Sequence, residues 1–196
     1  MAETIRDGTG GGYVAKVDSS NRLHTNAVTL NEQEEALKIG DAYNINTGII
    51  TLTNDSDTPI LYVKNNNGSA MHIKAIAVGV GATTGGSGIN TITVIRNPTA
   101  GTIISGATNV DINSNRNYAS SNTLSDVLAY KGATGNTMTD GDDHIIFFQG
   151  NNGRLFAGLE EYIPKGTSIG IKFNPGSGNT SVDVYCALIL HVEPSE

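Results

Sequence analysis

Apolar and polar residues alternate most regularly near the end of the chain, in the segment SVDVYCALILHVE from Ser181 to Glu193. Its even positions are all apolar, whereas its odd positions mix polar and apolar residues. A period of two is typical of a β-strand with one face in a core and the other face partly in water. The segment therefore predicts a well-formed strand close to the C-terminal end of the sequence.

Similar but shorter segments recur upstream, separated by turn signals rich in Gly, Asn, Pro and Ser. Their spacing predicts roughly eight to ten strands and no long helix, which is typical of an antiparallel β-sandwich or barrel. Residues 82–88 are predicted as a loop, and Asn151-Asn152-Gly153 predicts a hairpin between its two flanking strands. The segments predicted as strands are residues 43–53, 58–65, 70–81, 89–98, 101–106, 109–113, 127–132, 144–150, 153–160, 168–174 and 181–193.

The first 42 residues follow a different pattern. Isolated apolar residues stand between polar and glycine-rich links, so this segment cannot form a core by itself. We predict an extended N-terminal arm at residues 1–42, with a turn at 18–21 and one or two helical turns at 31–40. The apolar residues of the arm contact either their own domain or a neighbouring subunit. These candidate anchors are Tyr13, Val14, Val17, Leu23 and Val28.

The strong final strand also indicates how the sandwich closes. In a jelly roll, strands from near both ends of the domain pair side by side within a sheet. We therefore expect residues 43–196 to form a jelly-roll-like antiparallel β-sandwich. In this fold, the apolar face of residues 184–188 lies against Ile169, Ile171 and Phe173.

Composition and charge support strands and exclude some partners. The chain of 196 residues contains 24 glycines and only 16% charged residues, which favours short strands and tight turns over helices. Its net charge is −7 and its basic residues are scattered, so we expect no electrostatic binding to the phosphate backbone of nucleic acids. We see no secretory signal or membrane-spanning segment, and we expect synthesis in a cytoplasm.

Motifs that carry chemistry are not evident. The glycine run from Gly79 to Gly88 precedes a strand pattern rather than the helix that a phosphate-binding turn requires. The acidic cluster Asp140–His144 lacks the regular oxygen spacing of a calcium loop, and we interpret it as a solvated turn. Adjacent Glu160 and Glu161 point to opposite faces of a strand and cannot pair there. Cys186, the only cysteine, is predicted as a small buried apolar residue.

The histidines give no stronger signal. His24, His72, His144 and His191 lie far apart, without the short spacing that metal ligands usually show. His72 and His191 fall opposite the apolar faces of their strands, so we expect surface imidazoles. The sequence therefore predicts no catalytic residue, no cofactor and no metal site.

Several motifs resemble a known class of protein. IRDGTGGGYVAKVDSSNRLHTNAV (residues 5–28), GDAYNINTGIITLT and IRNPTAG resemble the N-terminal half of small virion proteins from tailed bacteriophages. EEYIPKGTSIGIKFNP and VDVYCALILHV are similar to the closing strands of their jelly-roll domain. The resemblance implies a non-enzymatic capsid decoration or cement protein on the outer surface of the head. It also implies a trimer that binds the major capsid protein and uses its arm in intersubunit contacts.

Two other hypotheses remain open. The chain is alternatively a head fibre or tail component that binds a receptor or glycan, with residues 114–126 and 133–143 as its contact surface. A jelly-roll enzyme is the third hypothesis, and the missing metal spacing and nucleophile–base pair weigh against it.

Overall fold

The structure is a computed structural model that describes residues 31–53, 56–86, 88–112 and 114–193, together with the backbone of 16–17 and 23–24. Its contacts divide the chain into two units, Met1–Asn31 and Glu32–Glu196. In the first unit, β1 (Lys16–Val17) pairs antiparallel with β2 (Leu23–His24).

The second unit is built on two antiparallel sheets. The first sheet has the strand order β11-β7-β13-β5-β10-β8. Hydrogen bonds between these strands satisfy the backbone donors and acceptors of the inner strands, as buried polar groups require. Its strands are β5 (Thr58–Asn65), β7 (Asn90–Arg96), β8 (Thr108–Asn109), β10 (Val127–Lys131), β11 (Asp142–Gln149) and β13 (Ser168–Asn174).

The second sheet has the order β12-β6-β14-β3-β9, and β4 also pairs with β14. The long strand β14 lies at its centre, between β6 on one side and β3 and β4 on the other. Its strands are β3 (Ala42–Asn46), β4 (Ile50–Leu52), β6 (Met71–Gly85), β9 (Ser114–Asn115), β12 (Arg154–Ile163) and β14 (Asn179–Val192).

The order of eight of the strands defines a jelly roll. One sheet contains β3, β14, β6 and β12 as neighbours, and the other contains β5, β13, β7 and β11. The chain thus crosses repeatedly between the sheets, which is the connectivity of two nested Greek keys. The predicted jelly-roll sandwich is confirmed, and so is the expected pairing of an early strand with the last one.

The core lies between the two sheets. Alternate residues of β14 from Val182 to Leu190 are buried, as their period of two predicts. They belong to the same apolar cluster as Ile169, Ile171 and Phe173 of β13 in the opposite sheet. The predicted contact between these two apolar faces is therefore confirmed.

Helix α1 (Glu32–Ile39) forms where the sequence predicted one or two helical turns. Gly40 ends it with a φ of 87°, a conformation that favours glycine. A Cβ on Gly40 would lie 2.0 Å from Oγ of Ser120, so there is also no room for a side chain. Helix α1 packs on β3 and β14, and its residue Ala36 is buried in this contact.

Several local predictions are wrong. The strand predicted at residues 109–113 is not formed, because β8 ends at Asn109 and residues 110–112 have no regular secondary structure. The strand predicted at residues 43–53 is interrupted between β3 and β4.

Strands β11 and β12 flank the Asn151–Gly153 turn but pair with β7 and β6, so the turn passes between sheets instead of closing a hairpin. Residues 101–106 contain helix α2 (Thr102–Gly106), because Ile103 is buried in a small cluster beside the first sheet. The predicted loop at 82–88 begins later, because β6 follows the long partner strand β14 as far as Gly85.

We predict that Leu188→Ala lowers the free energy of unfolding by about 2–5 kcal/mol, because it opens a cavity at a fully buried site. Urea denaturation measures this change. Ile49→Ala is the matched control, since its side chain is 72% exposed and its loss should change stability by less than about 0.5 kcal/mol. Equal unfolding midpoints for Leu188→Ala and the unsubstituted protein would contradict the proposed core.

Candidate functional site

The predicted arm anchors are only partly described. Val17 and Leu23 are register partners in the β1–β2 pair. Tyr13, Val14 and Val28 lie outside the described residues. The choice between contacts with their own domain and contacts with a neighbour stays a prediction for all five.

The polar loop at residues 114–126, predicted as a contact surface, binds the C-terminal end of α1. Side-chain amides of Asn115, Asn117 and Asn122 donate to the carbonyl oxygens of Gly40, Lys38 and Ile39, at 2.7, 3.0 and 3.0 Å respectively. The last carbonyls of a helix have no partner within the helix, so these amides satisfy them. We call these three side chains the asparagine clamp.

The second predicted contact loop, residues 133–143, is also held by the fold. Oδ1 of Asp140 accepts hydrogen bonds from the backbone N–H groups of Thr99 and Ala100, at 2.8 and 2.7 Å, and its Oδ2 accepts from the Thr99 hydroxyl. These bonds lower the pKa of Asp140. The carboxylate thus caps a neighbouring turn.

One flank of the sandwich is formed by two long edge strands. Strand β11 ends the first sheet, and β12 ends the second sheet on the same side. Inward residues of both strands pack against the core. Outward residues of each strand leave exposed apolar side chains on the outer face of its own sheet. We call these four residues the aromatic flank: Ile146 and Phe148 of β11, and Phe156 and Tyr162 of β12, with exposed fractions from 51% to 73%.

The opposite flank is different. There the sheets end in β8 and β9, each only two residues long. Short edge strands protect a sheet against unwanted pairing, whereas long edges with exposed apolar residues promote association. Strands β11 and β12 do carry irregularities in register, at Asp143/Ile145 and Gly158/Glu161. The aromatic flank nevertheless remains the side best suited to contact another protein.

A polar cluster lies at the end of the second sheet near α1. Its centre is a row of register partners across three strands, Tyr162 of β12, His72 of β6 and His191 of β14. The ring of His72 packs edge-on against Tyr162, with centroids 4.8 Å apart, and lies 4.9 Å from the ring of His191. We call these residues, together with Glu32 and Glu193, the histidine cluster.

Carboxylates flank this row on both sides. Nε2 of His72 lies 3.1 Å from Oε1 of Glu193, and the Tyr162 hydroxyl donates to Oε2 of the same carboxylate at 3.1 Å. Glu32, the first residue of α1, places Oε2 4.0 Å from Nε2 of His191. The hydrogen bond with Glu193 raises the pKa of Tyr162, which keeps the hydroxyl protonated.

The prediction that His191 is a surface imidazole is wrong. Its side chain is 1% exposed, because α1 packs over β14 at this end of the sheet. Neither of its ring nitrogens has a hydrogen-bond partner among the described residues. Burial, followed by the nearby His72 and Lys74, lowers the pKa of His191, although Glu32 and Glu193 oppose this shift.

Sequence reasoning missed the histidine cluster because its members are far apart in the chain. Period-two alternation placed His72 and His191 correctly on the outer face of their strands. It could not show that β6 and β14 bring them into register, or that α1 covers one of them. One signal in the sequence could have suggested the cluster. His72 lies near the start of one predicted strand and His191 near the end of another, and antiparallel pairing of these strands would bring the two histidines together.

A groove of about 360 Å³ lies elsewhere on the second sheet. The ring of Tyr185 rests on Gly79, where a Cβ would approach Cε1 to 2.0 Å. Arg154 and Asp183 line the same groove, and Asp183 accepts a 2.6 Å hydrogen bond from the Thr51 hydroxyl. An aromatic ring beside charged groups and open backbone offers a place for a small polar ligand.

Cys186 is fully buried in the core, which confirms its prediction as a small apolar residue. Burial raises the pKa of its thiol, so the protonated form is favoured further.

The chain matches no protein-family model. The search of curated proteins gives no match either. The matches among solved structures include the crystal structure of the infectious bursal disease virus VP2 subviral particle, at 11% identity and a TM-score of 0.13 over 80% of this chain. The chain spans 41% of that protein's length. Structural similarity at this level is too low to support an assignment of fold or function, so the assignment of the jelly roll depends on the strand order alone.

None of the described helices is both long and apolar enough to cross a bilayer.

We predict that Asp140→Asn lowers the melting temperature at neutral pH, because the ionised carboxylate is the better acceptor for the turn at Thr99–Ala100. The folded-state pKa of Asp140 is lowered, so its stabilising effect is present above its ordinary pKa of 3.8. The effect is lost as the pH falls through the folded-state value. Melting curves of both proteins should therefore converge on acidification, and a constant difference would contradict the assignment.

Proposed function

We propose that the chain is a non-enzymatic structural protein of a bacteriophage virion, a decoration or cement protein on the outer surface of the head. The single observation that carries this proposal is the aromatic flank, because the two long edge strands β11 and β12 both carry exposed apolar side chains. Resemblance of both ends of the sequence to small phage virion proteins supports it. We propose the major capsid protein as the partner.

The flank favours assembly into a homo-oligomer, and we propose a trimer. Phe148 and Phe156 are 73% and 66% exposed, on edges where backbone groups have no strand on their outer side. Aromatic residues are enriched in the buried centres of protein interfaces. Every copy of this chain carries the same surface, so a second copy is always present at the same concentration. We therefore propose that the flank binds another copy of the chain.

The number of copies in each virion tests the proposal directly. Quantitative mass spectrometry of purified particles should find hundreds of copies of a head decoration protein. A handful of copies would contradict it and favour the alternative, a fibre or tail component that binds a receptor or glycan. The groove at Tyr185 is the specific observation in favour of that alternative, because an aromatic ring beside Asp183 and Arg154 suits a sugar.

We predict that Phe148→Glu and Phe156→Glu convert the oligomer to monomers, because each places a charge in the apolar interface. Light scattering coupled to size-exclusion chromatography measures the mass. Tyr118→Glu is the matched control, since Tyr118 is fully exposed in the loop that carries the asparagine clamp. A monomeric unsubstituted protein at all concentrations would contradict the proposed interface, and so would a trimer that survives both flank substitutions.

We further predict that removal of residues 1–30 leaves a folded jelly roll that no longer binds capsids. The cut falls before α1, because α1 packs on the sheet and belongs to the larger unit. Circular dichroism checks the fold, and co-sedimentation with capsids that lack the protein checks binding. Binding at full strength by the folded truncated chain would contradict the proposed role of the arm.

A further inference from the structure

Three potential metal ligands converge in the histidine cluster from three separate elements. Glu32 begins α1, His72 lies on β6 and His191 lies on β14. One ligand atom from each residue lies within 4.8 Å of those from the other two. In a tetrahedral zinc site with bonds of about 2.1 Å, ligand atoms lie about 3.4 Å apart. A small rotation of Glu32, whose side chain is 67% exposed, can close much of this difference.

Burial of His191 supplies an independent reason to expect a ligand. A buried polar side chain without a partner costs free energy, and most such groups in folded proteins are satisfied. Both ring nitrogens of His191 lack a hydrogen-bond partner among the described residues, although the side chain is 1% exposed. A metal ion bound to one nitrogen would satisfy it, and Glu32 is the carboxylate next to that position.

We propose that Glu32, His72 and His191 bind a divalent transition-metal ion, with Zn²⁺ as the preferred ion. Imidazole and carboxylate ligands together suit zinc, whereas magnesium and calcium prefer oxygen ligands alone. Two histidines and one glutamate leave the fourth position of a tetrahedral ion for water or another ligand.

The surroundings of His72 support this assignment. Histidine ligands usually donate their second N–H to a carboxylate, which fixes the tautomer and orients the ring. Nε2 of His72 lies 3.1 Å from Glu193, and the Tyr162 hydroxyl holds that carboxylate from its other oxygen. Glu193 and Tyr162 therefore act as positioning residues for the site.

The charges near the site are also compatible with a cation. Glu32 and Glu193 contribute negative charge on two sides of the histidines. Lys74 is the positive group that faces them, and its Nζ lies 2.9 Å from Glu160 in an ion pair.

Metal binding would connect the start of α1 to the ends of β6 and β14, two inner strands of the second sheet. Glu32 is the first residue of the larger unit, next to its boundary with Met1–Asn31. An ion at this position would fix the beginning of α1 on β6 and β14. The site therefore has a structural role that is independent of whether the protein decorates a capsid.

The test uses the full-length protein after treatment with a chelator and exchange into metal-free buffer. Equilibrium dialysis with Zn²⁺ alone, read by elemental analysis, should give one ion per chain. Co²⁺ as a spectroscopic probe should give the visible bands of a four-coordinate ion with nitrogen and oxygen ligands. Saturating Zn²⁺ should also raise the melting temperature, because it binds the folded state.

Substitutions identify the ligands. Glu32→Gln and His72→Gln should each weaken Zn²⁺ binding by at least about tenfold, and Glu193→Gln by about 10–100-fold. Glu35→Gln is the matched control, with the same charge change on the same exposed helix face, and should bind Zn²⁺ normally. Glu32 is exposed, so its substitution leaves the fold intact where His191→Ala could disturb it. Absence of stoichiometric binding by the unsubstituted protein overturns the proposal, and so does binding that survives Glu32→Gln or His72→Gln unchanged.

Discussion

The fold depends on the register of β14 at the centre of the second sheet. This strand pairs with β6 along nearly its whole length and with β3 and β4 on its other side. Because side chains alternate across a strand, a slip by one residue would move Leu188 and Leu190 from the core to the outer face. That register also decides which polar residues meet outside the core, including His191 and its partner His72.

Much of the fold could be predicted because alternation is a local signal. Alternating apolar residues identified the strands at Val182 to Leu190 and at Ile169 to Phe173. An early strand was also correctly expected to pair with the last strand. Pairing is not a local property, so the Asn151–Gly153 turn suggested a hairpin where the chain in fact changes sheets. Helix α2 was missed because its short apolar segment also fits a strand, and the contacts of Ile103 with Tyr62 and Ile95 of the first sheet are not visible in the sequence.

The candidate site was less predictable for the same reason. The histidine cluster combines residues from the beginning, middle and end of the described chain, and no spacing rule connects Glu32 with His191. The aromatic flank was equally hidden, because the exposure of Phe148 and Phe156 follows from the edge positions of β11 and β12. Sequence patterns identified the faces of these strands, but only the strand order shows which faces have neighbours.

The asparagine clamp has a consequence for how firmly α1 is held in different solutions. All three donors are neutral carboxamides, and each binds a backbone oxygen, while the Asn122 amide also donates to the carboxylate of Asp41 at 3.1 Å. The bonds to the backbone oxygens are the ones that satisfy the helix end. Neither partner gains or loses a proton over the range in which proteins stay folded, and added salt screens such bonds far less than it screens an ion pair. The attachment of this end of the helix is therefore built to tolerate changes in acidity and ionic strength.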